Sequence, residues 1–379
     1  MLYRTMPGIQ EECSILGMGC MRFPQIDPDD PKTIDEPLAT KMLRYAIDQG
    51  VNYVDTAYPY HGGESEPFVG RALQDGYREK VCLATKLPTW FVKTREDMDR
   101  FLNEQLERLR TDVIDFYMLH ALNRVRWDDM KRLGVTDFLD SAVKSGKIKY
   151  AGFSFHADRE KFKEIIDSYN WTFCQIQYNY LDENFQAGRE GLEYAAQKGI
   201  GIVVMEPLKG GRIAQNVPET MMNIWDEAES KQTPAAWGFR WIWNQPEVAV
   251  VLSGMSTMDQ IEENLQTAQQ GQANSLTENE LQLIDRVKEE YQRRIKVDCT
   301  NCGYCMPCPN GVNIPDCFGR YNTAFLFDDI EGLKKNYLQL VPEVNRASQC
   351  IACGACEEQC PQNIPIIEKL QDIVNLFER

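Results

Sequence analysis

Short apolar runs alternate with amphipathic stretches through the first 255 residues of the chain. The apolar runs are four or five residues long, which is typical of strands buried in a parallel sheet. The stretches between them repeat apolar residues at helical spacing, as at Leu38, Met42 and Tyr45. Eight strands are predicted, at Ile15–Gly19, Asn52–Asp55, Val81–Thr85, Phe116–Leu119, Tyr150–Phe153, Phe173–Ile176, Gly201–Met205 and Val248–Leu252. Eight strands alternating with helices over about 250 residues predict a (β/α)8 TIM-type barrel.

The main alternative is an open, doubly wound sheet. That fold would place a Gly-x-Gly-x-x-Gly turn after the first strand. The chain has Gly17 and Gly19 there, but Arg22 occupies the third position. The closed barrel is therefore the preferred prediction.

Length and composition predict a second domain and argue against nucleic-acid and membrane partners. The 379 residues exceed one ordinary domain, and we predict a barrel over residues 1–271, a helical connector over 272–298 and a further domain over 299–379. A net charge of −16 repels phosphate backbones, so nucleic acid is an unexpected partner. The chain has no apolar run of about 20 residues and no signal-peptide core. We therefore expect a cytoplasmic protein without a membrane partner.

Four polar residues stand at the ends of neighbouring predicted strands. Asp55 ends the second strand, Tyr60 follows on its loop, Lys86 ends the third strand and His120 ends the fourth. Chemistry in TIM barrels is located at the carboxyl ends of the strands, where these side chains would meet. A phenol there can act as a general acid if a neighbouring ammonium lowers its pKa from about 10.

These residues resemble the aldo-keto reductase family over roughly residues 10 to 265. The specific matches are Asp55-Thr56-Ala57-x-x-Tyr60, the run Gly63-Glu64-Ser65-Glu66, Lys86 and His120. The resemblance implies that Tyr60 protonates a carbonyl oxygen as hydride arrives. It also implies that Lys86 depresses the Tyr60 pKa, that Asp55 anchors Lys86, and that His120 orients the carbonyl.

The same resemblance implies a nicotinamide cofactor held after the later strands. Ser154 and Gln175 match the residues that contact the carboxamide, and Met205 stands where an aromatic ring is frequent. The full set of expected cofactor-binding residues is Ser154, Gln175, Met205, Pro207, Leu208, Gly210, Gly254, Ser256, Gln260 and Asn264. Members that prefer NADP commonly carry basic residues at the positions of Gly254 and Gln260. NAD is therefore favoured over NADP.

Nine of the thirteen cysteines lie between Cys299 and Cys360. Eight of them form two runs, in each of which three cysteines at two-residue gaps are followed by a fourth cysteine and a proline. In two-cluster ferredoxins the fourth cysteine commonly ligates the other cluster. We predict two [4Fe-4S] clusters, one held by Cys299, Cys302, Cys305 and Cys360, the other by Cys350, Cys353, Cys356 and Cys308.

Zinc is the alternative occupant, but zinc sites favour cysteine pairs separated by longer loops. The 41 residues between the two runs predict a small, mostly helical ferredoxin-like domain, in which Cys317 packs without ligating. The whole chain thus resembles the iron–sulfur-bearing branch of the aldo-keto reductases.

We expect an oxidoreductase that interconverts a carbonyl and an alcohol on a small-molecule substrate, with electron transfer through the clusters. Nicotinamide passes two electrons as hydride, whereas a cluster passes one, so coupling them needs a converter. A bound flavin, or a ferredoxin or flavoprotein partner, stays open as that converter. The alternative is an electron-transfer or redox-sensing protein whose barrel is not a nicotinamide-dependent reductase.

Overall fold

The structure, a computed structural model, describes residues 1–379, and the chain folds into two compact units. The barrel unit comprises residues 1–214 and 232–278. The C-terminal unit comprises residues 279–379 together with the segment 215–231, which leaves the barrel unit and returns to it. The second unit is therefore built from two separate stretches of sequence.

Ten strands lie in the barrel unit. They are β1 Tyr3–Arg4, β2 Cys13–Ser14, β3 Leu16–Gly19, β4 Tyr53–Asp55, β5 Cys82–Leu87, β6 Ile114–Leu122, β7 Ile148–Phe155, β8 Phe173–Gln177, β9 Gly201–Met205 and β10 Val248–Ser253. Strands β3 to β10 pair in sequence order into a closed parallel barrel, and β10 pairs with β3 to close it. The predicted (β/α)8 barrel is confirmed, and the doubly wound sheet is excluded.

All eight predicted strands are present, with ends that differ by up to three residues. Strand β6 is the longest because it continues past His120 to Leu122. Its pairing with β7 shifts register between Leu119 and Leu122, where Ala121 adopts a positive φ of 52°. This irregularity lies at the carboxyl end of the strand, beside the candidate site.

Fifteen α-helices complete the fold. They are α1 Glu36–Asp48, α2 Ser65–Ala72, α3 Arg95–Arg108, α4 Arg124–Arg132, α5 Val135–Lys144, α6 Arg159–Ser168, α7 Gly188–Gln197, α8 Glu219–Trp225, α9 Pro234–Trp243, α10 Met258–Ala268, α11 Glu278–Arg293, α12 Ile314–Leu326, α13 Ile330–Leu340, α14 Ala355–Glu358 and α15 Ile366–Ile373. Several begin at residues that satisfy free backbone N–H groups. Thr94 and Asp97 form a capping box at α3, and Thr233 caps α9 before Pro234.

The N-terminal hairpin closes the amino end of the barrel. Strands β1 and β2 pair antiparallel, and the residues between them, including Met6 and Ile9, are buried with Tyr53 and Phe173. Met6 packs directly on Gly201, the first residue of β9. The hairpin therefore covers one end of the barrel, and the candidate residues lie at the other.

The C-terminal unit is helical, as expected for this part of the chain. Its core is formed by α12, α13 and α15, and includes Phe318, Tyr337 and Phe377. The short helix α8 belongs to this unit because Arg286 of α11 donates two hydrogen bonds to the Glu227 carboxylate just beyond it. In the whole chain, every helix is too short or too polar to cross a membrane.

Candidate active site and cluster-binding cavities

A buried ion pair lies at the carboxyl end of β4 and β5. Lys86 Nζ donates to Asp55 Oδ1 at 2.7 Å and to the Thr56 carbonyl oxygen at 2.7 Å. The exposed fractions are 1% for Lys86 and 2% for Asp55, so neither charge is solvated. Burial lowers the pKa of Lys86, but Asp55 and Tyr60 more than offset it, and the net pKa is raised. The amine therefore stays an ammonium at neutral pH.

Tyr60 lies within reach of this ammonium. Lys86 Nζ donates to the Tyr60 hydroxyl at 3.3 Å and lies 4.9 Å from the centre of its ring. Burial raises the pKa of the Tyr60 phenol, and the attraction of Lys86 works against that rise without reversing it. The phenol is therefore protonated at neutral pH, which is the state that a proton donor needs. The lysine moderates the pKa of Tyr60 rather than bringing it below the ordinary value.

His120 faces the same space from β6. Its ring centre lies 6.1 Å from that of Tyr60 and 4.9 Å from that of Trp90. Burial, and then the charge of Lys86, holds the pKa of His120 well below 6.5, so the imidazole is neutral. Its Nδ1 atom is buried and has no hydrogen-bond partner. A neutral imidazole in this position can hydrogen-bond to a carbonyl substrate.

The irregular end of β6 is held by three side chains. Thr89 Oγ1 donates to the His120 carbonyl at 2.8 Å, and the Ala121 amide donates to Ser154 Oγ at 2.7 Å. Arg126 donates to the Ala121 carbonyl at 2.8 Å. These contacts fix the turn that carries the His120 ring.

A second polar group lies behind β5 and was not identified from the sequence. The buried Glu66 carboxylate accepts from Thr85 Oγ1 and from Gln105 Nε2, both at 2.6 Å. Gln105 Nε2 also donates to the Lys86 carbonyl at 3.0 Å. This group holds the backbone of the lysine from the outside of the strand. The only sequence signal was the position of Glu66 in the matched run after Tyr60.

The residues expected to hold a carboxamide lie on adjacent strands β7 and β8. Gln175 Nε2 is 3.5 Å from the Met205 sulfur, and Gln175 Oε1 is buried without a partner. The Ser154 hydroxyl accepts the Ala121 amide and keeps its own proton free to donate. The unpaired acceptor Gln175 Oε1 and the free donor of the Ser154 hydroxyl can bind the N–H and carbonyl groups of a primary amide on a ligand.

The residues expected at the phosphate side lie in the loops after β9 and β10. Gly210 has a φ of 70°, and the guanidinium of Arg22 lies close against it. The Arg22 side chain also packs against Gly254. Arg22 is not identifiable from the sequence, because its position depends on how three loops come together.

The remaining expected cofactor residues lie around these loops. The Ser256 amide donates to Gln260 Oε1 at 2.8 Å, and Asn264 donates to Ser253 at 3.1 Å. Pro207 is buried and the Leu208 side chain packs on Gly238 of α9. The structure thus places all ten expected residues at the carboxyl end of β7 to β10 or in the loops and helix that follow.

Two cavities of the C-terminal unit are lined by cysteine side chains. One has an empty volume of about 330 Å³, including its opening, and is lined by Cys299, Cys302, Cys305 and Cys360. The other has an empty volume of about 320 Å³ and is lined by Cys308, Cys350, Cys353 and Cys356. These are the two sets of four that the sequence predicts, with the fourth cysteine of each run exchanged between cavities.

The geometry of the thiols fits a cluster better than a single metal ion. No group of three His, Cys, Asp or Glu side chains converges on one point that could hold a metal ion. In a [4Fe-4S] cluster each cysteine binds a different iron, so four thiols spread around a cavity are expected. Ile314 contributes to the wall of both cavities. Cys317 is buried in the helical core and lines neither cavity.

Comparison with known families divides the chain in the same way. The aldo/keto reductase family matches residues 15–289, and a 4Fe-4S dicluster domain matches residues 298–364. Protein tas of Escherichia coli (strain K12) is 26% identical, over 77% of this chain and 99% of its own length. Probable aldo-keto reductase 1 of Glycine max is 27% identical, over 67% of this chain and 80% of its own length.

A solved structure is similar as well. The holo form of aldo-keto reductase AKR11C1 from Bacillus halodurans has a TM-score of 0.64 and 26% identity, covering 76% of this chain and 96% of its own. The same family assignment is supported by the barrel fold, by the positions of the matched residues and by the extent of the family match. The chain belongs to the aldo/keto reductase family of oxidoreductases and carries a C-terminal 4Fe-4S dicluster domain.

Proposed function

We propose that the barrel unit interconverts a carbonyl and an alcohol on a small molecule with a nicotinamide nucleotide. The observation that carries this proposal is the buried contact series from Asp55 through Lys86 to the Tyr60 hydroxyl. A charged lysine fixed beneath a protonated phenol at the mouth of a barrel suits transfer of one proton to a carbonyl oxygen. The 27% identical Glycine max relative is itself named a probable aldo-keto reductase.

Each residue of the site has a defined task in this proposal. A bound reduced nicotinamide supplies the two electrons and the hydrogen that reach the carbonyl carbon. Tyr60 gives the proton that completes the alcohol and recovers it from solvent. The Lys86 ammonium stabilises the phenolate that this leaves, and Asp55 keeps the ammonium in place. Neutral His120 donates a hydrogen bond that orients the carbonyl oxygen.

The nucleotide is proposed to lie across the carboxyl ends of β7 to β10. Ser154 and Gln175 would hold its carboxamide, and Met205 would cover the ring. Arg22, between Gly210 and Gly254, brings a positive charge to the side where the phosphates would lie. Gln260 accepts a hydrogen bond from the Ser256 amide and carries no charge, so NAD stays favoured over NADP.

The C-terminal unit is proposed to hold two [4Fe-4S] clusters through the two sets of four cysteines that line its cavities. Cys302 and Cys353 are the exposed members of these sets. An exposed cysteine at each proposed cluster site suits one-electron exchange with an external ferredoxin or flavoprotein. A nicotinamide cannot feed single electrons to clusters without a converter, so a flavin on this chain or on the partner completes the proposal.

Replacing Tyr60 by phenylalanine tests the barrel activity. Turnover of a panel of aldehydes with NADH or NADPH should fall by about 10²- to 10⁴-fold, the usual contribution of a general acid. Nucleotide binding, measured by fluorescence titration, should be retained. Tyr58→Phe is the matched control, because the Tyr58 hydroxyl donates to Glu104 instead of reaching Lys86. Equal turnover in Tyr60→Phe and wild type would contradict the proposal.

The route of electrons through the clusters has a separate test. The protein is purified without oxygen, and the broad visible absorbance of the clusters is recorded before and after addition of NADH or NADPH. Bleaching shows that nicotinamide electrons reach the clusters and requires a flavin on the chain, which is then sought by extraction. An unchanged band with bound nucleotide leaves the clusters to an external one-electron partner. Electron transfer is refuted if neither a nucleotide nor a reduced ferredoxin changes the band.

A further inference from the structure

A half-buried arginine at the carboxyl end of the barrel has no acidic partner. The guanidinium of Arg126, on α4, makes one hydrogen bond, to the Ala121 carbonyl at 2.8 Å, and no ion pair. Its neighbours on the same helix are neutralised, since Arg124 pairs with Asp158 at 3.1 Å and Arg132 pairs with Asp129 at 2.9 Å. Most N–H donors of Arg126 are therefore unused by the protein.

The unpaired guanidinium lies next to the residues assigned to the carbonyl. Its central carbon is 5.2 Å from the ring centre of Trp90, and that ring is 4.9 Å from His120. His120 in turn lies 6.1 Å from Tyr60. A continuous series of side-chain contacts thus runs from the cation to the proposed proton donor, with Trp90 as a flat wall between them.

The charge of Arg126 acts on two histidines of the site, His120 and His156. Burial is the main cause that lowers the pKa of both His120 and His156, and the charge of Arg126 adds to this lowering. Both imidazoles are therefore neutral and do not neutralise an anion themselves. Lys86 is paired with Asp55, so in a chain with a net charge of −16 the unpaired Arg126 is the local feature that attracts a negatively charged group.

A partly desolvated charge without a counter-ion costs free energy unless a ligand pairs with it. The guanidinium offers a planar fork of donors that matches a carboxylate in a bidentate manner. We propose that Arg126 binds a carboxylate of the substrate. The substrate is then a carbonyl compound whose carboxylate is separated from the carbonyl group by a flat spacer, and this spacer packs on Trp90. This inference rests on the proposed carbonyl reduction at Tyr60.

Two aromatic aldehydes of similar shape test the assignment. The probes are 4-carboxybenzaldehyde and its neutral analogue 4-formylbenzamide, each assayed for kcat and KM with NADH and NADPH. Wild type should show a KM for the carboxylate roughly 10- to 100-fold below that for the amide, the usual effect of a charged hydrogen-bonded pair. Arg126→Gln should raise the KM for the carboxylate toward that for the amide, so that the difference between the two aldehydes disappears.

Arg124→Gln is the matched control, two residues away on α4 and exposed. It should keep the preference for the carboxylate. Arg126→Lys should recover part of the preference, because it restores charge without the planar fork. A wild type that does not distinguish the two aldehydes overturns the proposal. So does an Arg126→Gln variant that loses activity equally on both, because that result assigns Arg126 to the support of the Ala121 turn.

Calorimetric binding of 4-carboxybenzaldehyde to the nucleotide-loaded protein separates this proposal from the proposed function. If neither aldehyde turns over but binding is weakened by Arg126→Gln and not by Arg124→Gln, the carboxylate site stands and carbonyl reduction fails. If both aldehydes turn over without a difference in KM or binding, carbonyl reduction stands and the carboxylate site fails. If there is neither turnover nor Arg126-dependent binding, both fail.

Discussion

Replacing Lys86 by methionine removes the only hydrogen-bond donor to the Asp55 carboxylate. Asp55 Oδ1 accepts from Lys86 alone, and Asp55 Oδ2 has no partner. Methionine keeps most of the side-chain volume, so the main effect is an uncompensated buried carboxylate. Breaking a buried ion pair in this way costs about 3–5 kcal/mol of unfolding free energy. The double variant Asp55→Leu/Lys86→Met should recover much of that loss, because it removes both charges.

The cost should depend on pH in a defined direction. Burial already raises the pKa of Asp55 in the wild type, and Lys86 limits that rise. Without Lys86 the folded pKa of Asp55 rises further, while the unfolded value stays near 3.9. Above the unfolded pKa, the folded variant holds a proton that the unfolded chain has released. Its stability therefore falls by about 1.4 kcal/mol per pH unit until pH reaches the folded pKa.

Tryptophan fluorescence in urea is a suitable assay, because six of the seven tryptophans belong to the barrel unit. Unfolding is followed at several pH values between about 5 and 8, all above the unfolded pKa of Asp55. The control is Lys80→Met, which breaks an exposed pair with Asp48 at 3.3 Å and should change stability only slightly. The prediction is wrong if Lys86→Met destabilises the protein no more than Lys80→Met does, or if the loss of stability does not shrink toward low pH.

Three further predictions concern the clusters, the histidine and the group behind β5. Cys353→Ser should lower the iron content of the anaerobically purified protein, whereas Cys317→Ser should leave it unchanged; a loss of iron in the second variant would contradict the ligand sets. Because burial and Lys86 hold its pKa well below 6.5, His120 should stay neutral as pH falls from 8 to about 6, the range in which a free imidazole protonates. Imidazole NMR checks this, and a titration near 6.5 that disappears in His120→Asn would disprove it. Gln105→Leu should cost about 1–3 kcal/mol in urea unfolding, because it leaves the buried Glu66 carboxylate one donor short; no loss of stability would show that Glu66 finds another donor.

The barrel could be predicted from the sequence because its strands are buried on both faces. Such strands are continuous apolar runs, and polar residues at their ends are then conspicuous. Asp55, Lys86 and His120 lie at or near the carboxyl ends of three consecutive strands, and a parallel barrel necessarily brings those ends together. The cysteines could be predicted for the same local reason, since two-residue gaps place the thiols of Cys350, Cys353 and Cys356 around one cavity.

Features that depend on long-range packing could not be predicted in this way. Strands β1 and β2 have two residues each, too few for a periodic pattern. Arg22 and Arg126 look like ordinary surface residues, and only the folded structure shows one against two glycines and the other without an acidic partner. The positive φ of Ala121 likewise follows from its hydrogen bonds with Ser154 and Arg126 and not from its own side chain.

The return of residues 215–231 to the C-terminal unit has a consequence for dissecting the protein. The polypeptide passes between the two units three times, so a stop codon after residue 278 would remove most of one unit and leave α8 behind. Met221 of that helix is fully buried in the intact chain, and the truncated protein would lack Arg286, the partner of Glu227. A soluble isolated barrel therefore requires a second cut that replaces residues 215–231 by a short linker. The C-terminal unit cannot be transferred as residues 279–379 alone, because a gene fusion with only that range would carry an incomplete fold.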